Sequence, residues 1–315
     1  MKSYRQDELK PGQLGHSIFT IGNFDGLHRG HQYILRRLSA EAHETGLPAG
    51  VLTFEPHPVQ LLYPEKGLKL ILPFSERTRL FKKYGVEVLV TASFTREIAN
   101  TPAREWVAEV LVNLLQVRRL LIGYDFNFGR GRDGDAEHLA NLGLLYGFSV
   151  EQFPPVEDDG RPISSSRLRR LIAAGEIGLA ASLLGRPFHL RGKVIHGSER
   201  GRELGYPTAN LQVNTELIPH IGVYAAVVVV DGQIFAAAVS IGRNPTFDLS
   251  ELRVEAHLLD FKGNLYDKEM ELHFIYRLRD EMKFDFVAQL VEAMEKDIAR
   301  TRQCFSERSP KEWLT

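Results

Sequence analysis

The run Gly22-Asn23-Phe24-Asp25-Gly26-Leu27-His28-Arg29-Gly30-His31 restricts the folds open to this chain more than any other stretch. An apolar, strand-like segment, Ser17 to Ile21, precedes it, and a helix-like segment, Gln32 to Leu38, follows. Strand, glycine-punctuated turn and helix start form one unit whose backbone N–H groups and positive dipole end face an anion. His28 and His31 share one face of the first helical turn. An imidazole placed there donates a hydrogen bond to a phosphate oxygen and stabilises the charge that builds when a phosphoryl group is attacked in line. Gly22, Asn23, Phe24, Asp25 and Gly30 are the accompanying candidates for holding phosphates, Gly30 because a side chain there would crowd the nucleotide. Zinc is the weaker reading of His-x-x-His, because no acidic or cysteine partner stands at helical spacing.

The rest of the first half repeats the strand–helix alternation. Strand-like runs fall at Ser17–Ile21, Gly50–Phe54, Val86–Thr91, Val117–Ile122 and Phe148–Phe153. Helix-like runs fall at Gln32–Glu44, Glu76–Tyr84, Ala103–Leu115 and Ala136–Tyr146. This predicts a doubly wound parallel sheet covered on both faces, with ligands at the carboxyl ends of its strands. A helical tail, Ser166 to Leu184, ends at Gly185-Arg186-Pro187, which sets the expected domains at 1–186 and 187–315. Beyond it the strands crowd together at Phe188–Ile195, Gly222–Val230, Gln233–Ile241, Leu252–Asp260 and Met270–Tyr276. Asp231-Gly232 between two of them is a hairpin signal. The expected second fold is a small antiparallel barrel with a terminal helix near Phe284–Arg302. The helix stripe Phe286, Val287, Leu290, Val291, Met294 and Ile298 is expected to be core packing against the barrel, with no ligand role.

Composition narrows the partners. In 315 residues, 43% hydrophobic, there is apolar material for two cores. A net charge of -1 leaves no broad basic field for nucleic acid, and the local cluster Arg167–Arg170 suits a small phosphorylated ligand. One cysteine, Cys304, excludes an internal disulfide and a cysteine-rich zinc site. Met1–Lys10 is polar and no segment has the roughly 20 apolar residues of a membrane span, so the expectation is a cytoplasmic protein without a membrane partner. Self-association is not determined by these features.

Three further stretches carry chemistry. Ser164-Ser165-Ser166, leading into Arg167-Leu168-Arg169, can cap a helix and offer hydroxyls to phosphates, with Arg169 placed to neutralise a leaving anion. Gly129-Arg130-Gly131-Arg132-Asp133-Gly134 satisfies G-x-G-x-x-G but lacks a strand directly before it, so it is read as a loop and not as a dinucleotide site. Phe126 and Phe128 before that loop either stack on a flat ring or pack beneath the loop. In the second half, Gly192, Gly197, Gly201 and Gly205 form a glycine-rich flap leading to Pro207-Thr208-Ala209-Asn210, whose Thr208 and Asn210 are hard oxygen ligands that Mg²⁺ accepts beside phosphates. Glu255 and His257 share one strand face, opposite Val254 and Ala256. Glu255 is expected inside the barrel, where a carboxylate is costly unless paired or functional.

The first turn and the serine run resemble the signature of the adenylyl- and cytidylyltransferase superfamily. The combination of Gly22–His31 with the Pro207–Asn210 barrel resembles the bacterial bifunctional riboflavin kinase/FMN adenylyltransferase family over about Ser17 to Arg302. Thr53–Pro58, Gly123–Phe126, Gly222–Tyr224, Ser240–Thr246 and Lys283–Asp285 also fit it, while Ser166 stands where relatives often carry threonine. Asn264 and Asp267 mark a hairpin that departs from the family pattern. The resemblance implies a nucleotidyltransferase domain followed by a kinase barrel, with ATP, riboflavin and FMN as substrates and Mg²⁺ as cofactor. It implies that Thr208 and Asn210 hold the metal and that Glu255 deprotonates the riboflavin 5′-hydroxyl. It further implies that His28 and His31 stabilise transition-state charge, that Arg169 holds pyrophosphate, and that Asp125, Phe126 and Phe128 contact flavin. Two rivals remain: a single nucleotidyltransferase with a regulatory barrel, which Glu255 discriminates, and a nucleic-acid-binding barrel, which the neutral charge disfavours.

Overall fold

The structure, a computed structural model, describes residues 1–197, 201, 204–243 and 252–314. By packing, the chain divides into Met1–Ser164 and Ser165–Thr315.

In the first unit, β1 (Lys2–Arg5), β2 (Ser17–Ile21), β3 (Ala49–Glu55), β4 (Val88–Ser93), β5 (Val117–Gly123) and β6 (Ser149–Phe153) form one sheet in the order β1-β4-β3-β2-β5-β6. Every pairing is parallel. All five residues of β2 are buried, as an apolar central strand covered on both faces requires. The helices are α1 (Arg29–Thr45), α2 (Pro58–Leu62), α3 (Phe74–Lys83), α4 (Arg96–Asn100), α5 (Ala103–Trp106) and α6 (Ala136–Tyr146). α5 continues as a π-helical stretch over Val107–Leu114. Strands β3, β4 and β1 extend to one side of β2, and β5 and β6 to the other. The order therefore reverses at the β2/β5 pair, which puts the ligand crevice at the carboxyl ends of those strands. The Gly22–His31 turn leaves β2 at that end. The short strands β7 (Glu157–Asp158) and β8 (Arg161–Pro162) pair antiparallel.

One core cluster on the sheet joins Phe19, Leu52, Val90, Ile122, Trp106, Leu111 and Leu139. Gly50 gives Phe19 its seat, since a Cβ there would lie 2.4 Å from the ring.

The second unit opens with α7 (Ser165–Ala174) and α8 (Ile177–Leu184). The single expected tail helix is two, because Gly175 adopts φ +79° and breaks it. A Cβ on Gly175 would touch Arg277 at 3.0 Å and the Tyr224 hydroxyl at 3.1 Å. By packing, α7 and α8 group with the barrel strands in the second unit.

The barrel is closed and antiparallel, in the order β10-β13-β12-β11-β14-β9. Its strands are β9 (Phe188–Ile195), β10 (Ala209–Val213), β11 (Gly222–Val230), β12 (Gln233–Arg243), β13 (Leu252–Leu258) and β14 (Glu269–Arg279). Val230 pairs with Gln233, so Asp231 (φ +49°) and Gly232 (φ +74°) form the expected two-residue turn.

The terminal helix α9 (Val287–Cys304) corrects the expectation of a core stripe. Phe286 is 70% and Val287 60% exposed, and Leu290, Val291, Met294 and Ile298 are half-buried. The barrel interior is already filled by strand residues such as Ala237, Val239 and Ile241. The helix is held outside it by a polar anchor: the buried Asp297 accepts from Arg279 Nε at 3.0 Å and Nη2 at 2.7 Å.

Candidate active sites

The first site is built on the β2–α1 turn. Gly22 N–H donates to Leu52 O, fixing where the chain leaves the sheet. Phe24 and Leu27 adopt positive φ, +51° and +40°, a conformation that tertiary contacts must hold in place. The Phe24 ring is buried, edge-on to Phe81 of α3 and to His31. Gln32 Nε2 donates to Leu27 O at 2.8 Å.

The structure spends Asp25 on the turn itself. Its buried carboxylate accepts from the Ile71 and Leu72 amides at 3.0 and 3.2 Å, clamping residues 71–72 against the turn. The Asp25 carboxylate, expected among the nucleotide ligands, is held by these backbone amides.

His28 is the N-cap of α1, and its Nδ1 accepts from His31 N–H at 3.4 Å. A neutral His28 therefore carries its proton on Nε2. The rings of His28 and His31 stack with centroids 3.7 Å apart. Burial, with the positive form of His28 adjacent, holds His31 well below the usual imidazole range, so it is neutral near pH 7. His31 Nδ1 and Asn23 Oδ1 are both buried without a hydrogen-bond partner. Gly30 has a different reason from the one expected: a Cβ there would meet the His28 ring at 3.2 Å. The absent side chain makes room for the histidine pair.

Asp125 is exposed just beyond β5, while Phe126 and Phe128 are half-buried against the core. Phe128 touches Trp106 and stacks with Phe126, and a Cβ on Gly134 would lie 2.5 Å from its ring. Of the two readings open from the sequence, packing beneath the loop is the arrangement observed. Ser164 ends the first unit; Ser165, Ser166 and the half-buried Arg169 lie on α7 in the second.

Sequence reasoning missed Arg77. It is fully buried on α3, donates Nη1 to Asn23 O at 3.0 Å and pairs through Nη2 with Glu55 at the end of β3. Its signal was present: Phe74, Arg77 and Phe81 share one helix face, so an arginine stands among residues that face inward.

The second site lies on the barrel's outer face. Val254, Ala256 and Leu258 are the buried residues of β13, and Glu255 and His257 are half-buried on the opposite face. The alternation is as expected and the face is the opposite one, because the apolar residues claim the barrel interior. Glu255 pairs in register with Asn210 of β10, and its Oε2 accepts from Thr208 Oγ1 at 3.3 Å. His257 Nδ1 donates to Pro207 O at 2.9 Å, and Tyr206 packs edge-on against His257 while donating to Glu295 of α9 at 3.0 Å.

The glycines divide by role. A Cβ on Gly197 would strike the Asn210 amide at 2.0 Å, and one on Gly201 would strike Tyr206 O at 2.5 Å and approach Thr208 Oγ1 at 3.4 Å. These two let the backbone close over the Thr208–Asn210 segment. Gly205 (φ +87°) shapes a turn. Gly192 is a strand residue of β9, where a Cβ would strike Gln212 O at 2.0 Å; it serves strand contact and not the flap. In the departing hairpin, Asn264 Oδ1 accepts from Tyr266 N at 2.9 Å and Asp267 takes φ +65°. Residues 244–246 of the expected family stretch lie outside the described residues. Among the described residues no three His, Cys, Asp or Glu side chains cluster for a metal.

The FAD synthetase family model matches residues 10–167 and the riboflavin kinase family model residues 184–305. The bifunctional riboflavin kinase/FMN adenylyltransferase of Pseudomonas fluorescens is 40% identical over 295 residues, covering 93% of this chain and 94% of that protein. The Escherichia coli (strain K12) protein of the same description is 35% identical, over 93% of this chain and 94% of its own. A crystal structure from Streptococcus pneumoniae, described as a macrolide-efflux protein, matches with TM-score 0.88 and 35% identity, over 96% of this chain and 99% of that one. Among the described residues no helix is long and apolar enough to cross a membrane. The two tandem family matches and the near full-length similarity show that this chain belongs to the family of bifunctional riboflavin kinases/FMN adenylyltransferases.

Proposed function

We propose that this chain transfers the γ-phosphoryl group of ATP to riboflavin, giving FMN and ADP, and then joins FMN to the adenylyl group of a second ATP, giving FAD and pyrophosphate. Adenylylation is assigned to residues 1–186 and phosphorylation to 187–315. The observation that carries the reading is the stacked His28–His31 pair at the start of α1, with His31 held neutral.

In adenylylation the FMN phosphate oxygen attacks the α-phosphorus of ATP, and the bond to the bridging oxygen of pyrophosphate breaks. Negative charge grows on the α-phosphoryl oxygens. The helix start and the imidazoles meet that charge with N–H donors already in place, so little reorganisation is needed as the reaction proceeds. A neutral His31 still carries one ring N–H to donate to that charge.

In phosphorylation Glu255 takes the proton of the riboflavin 5′-hydroxyl as its oxygen attacks the γ-phosphorus. The carboxylate is half-buried and accepts from Thr208, which orients it without removing it from water. Thr208 and Asn210 are the residues that would hold Mg²⁺, a hard cation suited to their oxygens; it would neutralise phosphate charge there.

Incubation with riboflavin, ATP and Mg²⁺, followed by separation of the flavins, tests the reading. FMN appearing first and FAD later supports it; riboflavin unchanged after prolonged incubation refutes it.

A further inference from the structure

Arg77 is buried where an apolar residue would serve packing as well. Its relative exposure is 0%, Phe74 of α3 lies 5.2 Å from its guanidinium carbon, and its Nε has no hydrogen-bond partner. Stability alone gives little reason for a charge in such a place, because well-packed apolar replacements of buried ion pairs are often neutral or stabilising. What a guanidinium adds is direction: a rigid planar fork whose two ends bind two acceptors at a fixed angle. Here one end donates to Asn23 O and the other pairs with Glu55. Glu55 is anchored in the sheet, its backbone carbonyl accepting from Phe94 N. Its carboxylate borders a cavity of about 490 Å³ that also exposes Thr78, Thr91 and Ser93.

The residue held by this fork begins the strained stretch. Phe24, at φ +51°, follows Asn23 directly, and its ring contacts His31 at 5.2 Å. A rotation of the Asn23 peptide would move Phe24, and with it the ring that bounds His31. Asp25 fixes the next point of the turn through the Ile71 and Leu72 amides. Arg77 and Asp25 thus tie two points of the turn, Asn23 and Asp25, to α3 and to the segment preceding it.

We propose that Arg77, with Glu55 as its anchor, is a positioning residue for adenylyl transfer: it sets the Asn23–Phe24 peptide and thereby the place of His31, and it touches no substrate. The inference rests on reading the Gly22–His31 turn as the adenylyl-transfer site. Because transition-state charge is what the His31 donor meets, misplacement lowers turnover more than it weakens ATP binding.

The test compares the full-length chain with Arg77→Lys and Glu55→Gln. Lysine keeps the charge and loses the fork; glutamine keeps a hydrogen bond and the shape. Conversion of supplied FMN to FAD is followed at varied ATP, together with phosphorylation of riboflavin and the melting profile. The expected result is a fall in kcat for FAD formation of about tenfold or more in Arg77→Lys, and less in Glu55→Gln. KM for ATP stays within about threefold and FMN formation is unchanged. If Arg77→Lys does not fold, Glu55→Gln carries the test. Lowered melting with kcat and KM as in the unaltered chain would show a structural role only and overturn the proposal. So would a rise in KM at constant kcat. Absence of FAD formation in the unaltered chain would instead strike the reading of the site itself.

Discussion

A neutral, half-buried His31 makes stability depend on pH. Its folded-state pKa lies well below the ordinary 6.5, so below about pH 6.5 the unfolded chain binds more protons than the folded one. Stability is therefore full above pH 6.5 and declines as the pH falls from there toward the depressed value. His31→Gln, which cannot protonate, is expected to flatten that decline in melting temperature between pH 7.5 and 5.5, and to lower FAD formation by about 10²-fold through loss of a transition-state donor. An unaltered pH slope in the variant would show that the proton uptake belongs to another group. Gly30 separates helix propensity from chemistry at the same place. Gly30→Ala should favour the helix by about 0.5–1 kcal/mol, yet its Cβ would press on His28 at 3.2 Å. Melting unchanged or raised, with FAD formation slowed about tenfold, is the expected pair of results in parallel melting and activity measurements.

Elements whose apolar pattern is local were legible in the sequence. β2, β9 and β11 have the bounds that their apolar runs indicate, and the Asp231-Gly232 turn follows from residue type. β1 was not legible: Lys2–Arg5 is polar, and only parallel pairing with β4 makes it a strand. The break at Gly175 was hidden because a glycine inside a helical pattern is often tolerated. The α9 stripe misled because a helical period shows which face is apolar and not how deeply the partner admits it. Phe286→Ser should accordingly change stability by no more than about 0.5 kcal/mol in denaturant unfolding, where a core phenylalanine would cost about 3–5 kcal/mol when truncated. A loss of the larger size would place Phe286 in the core after all.

At the scale of the whole molecule, the proposed reading puts two sites of different design in one chain: a helix start on a parallel sheet that would face an anion, and an oxygen-rich patch on the outside of a barrel. The candidate site residues stand out in the sequence because their motifs are contiguous. Their environments do not, since the inward side of β13, the clamp made by Asp25 and the fork of Arg77 depend on contacts far apart in sequence, Arg77 reaching Asn23 and Glu55 from another helix. If the patch around Glu255 performs only the phosphorylation, removing its carboxylate must leave adenylylation intact. The most direct measurement is the flavin product distribution of Glu255→Ala given ATP and Mg²⁺ with either riboflavin or FMN. The expected result is riboflavin left unconverted while supplied FMN becomes FAD at the rate of the unaltered chain. Continued formation of FMN from riboflavin, or loss of both conversions together in a folded variant, would contradict the division of labour between the two sites.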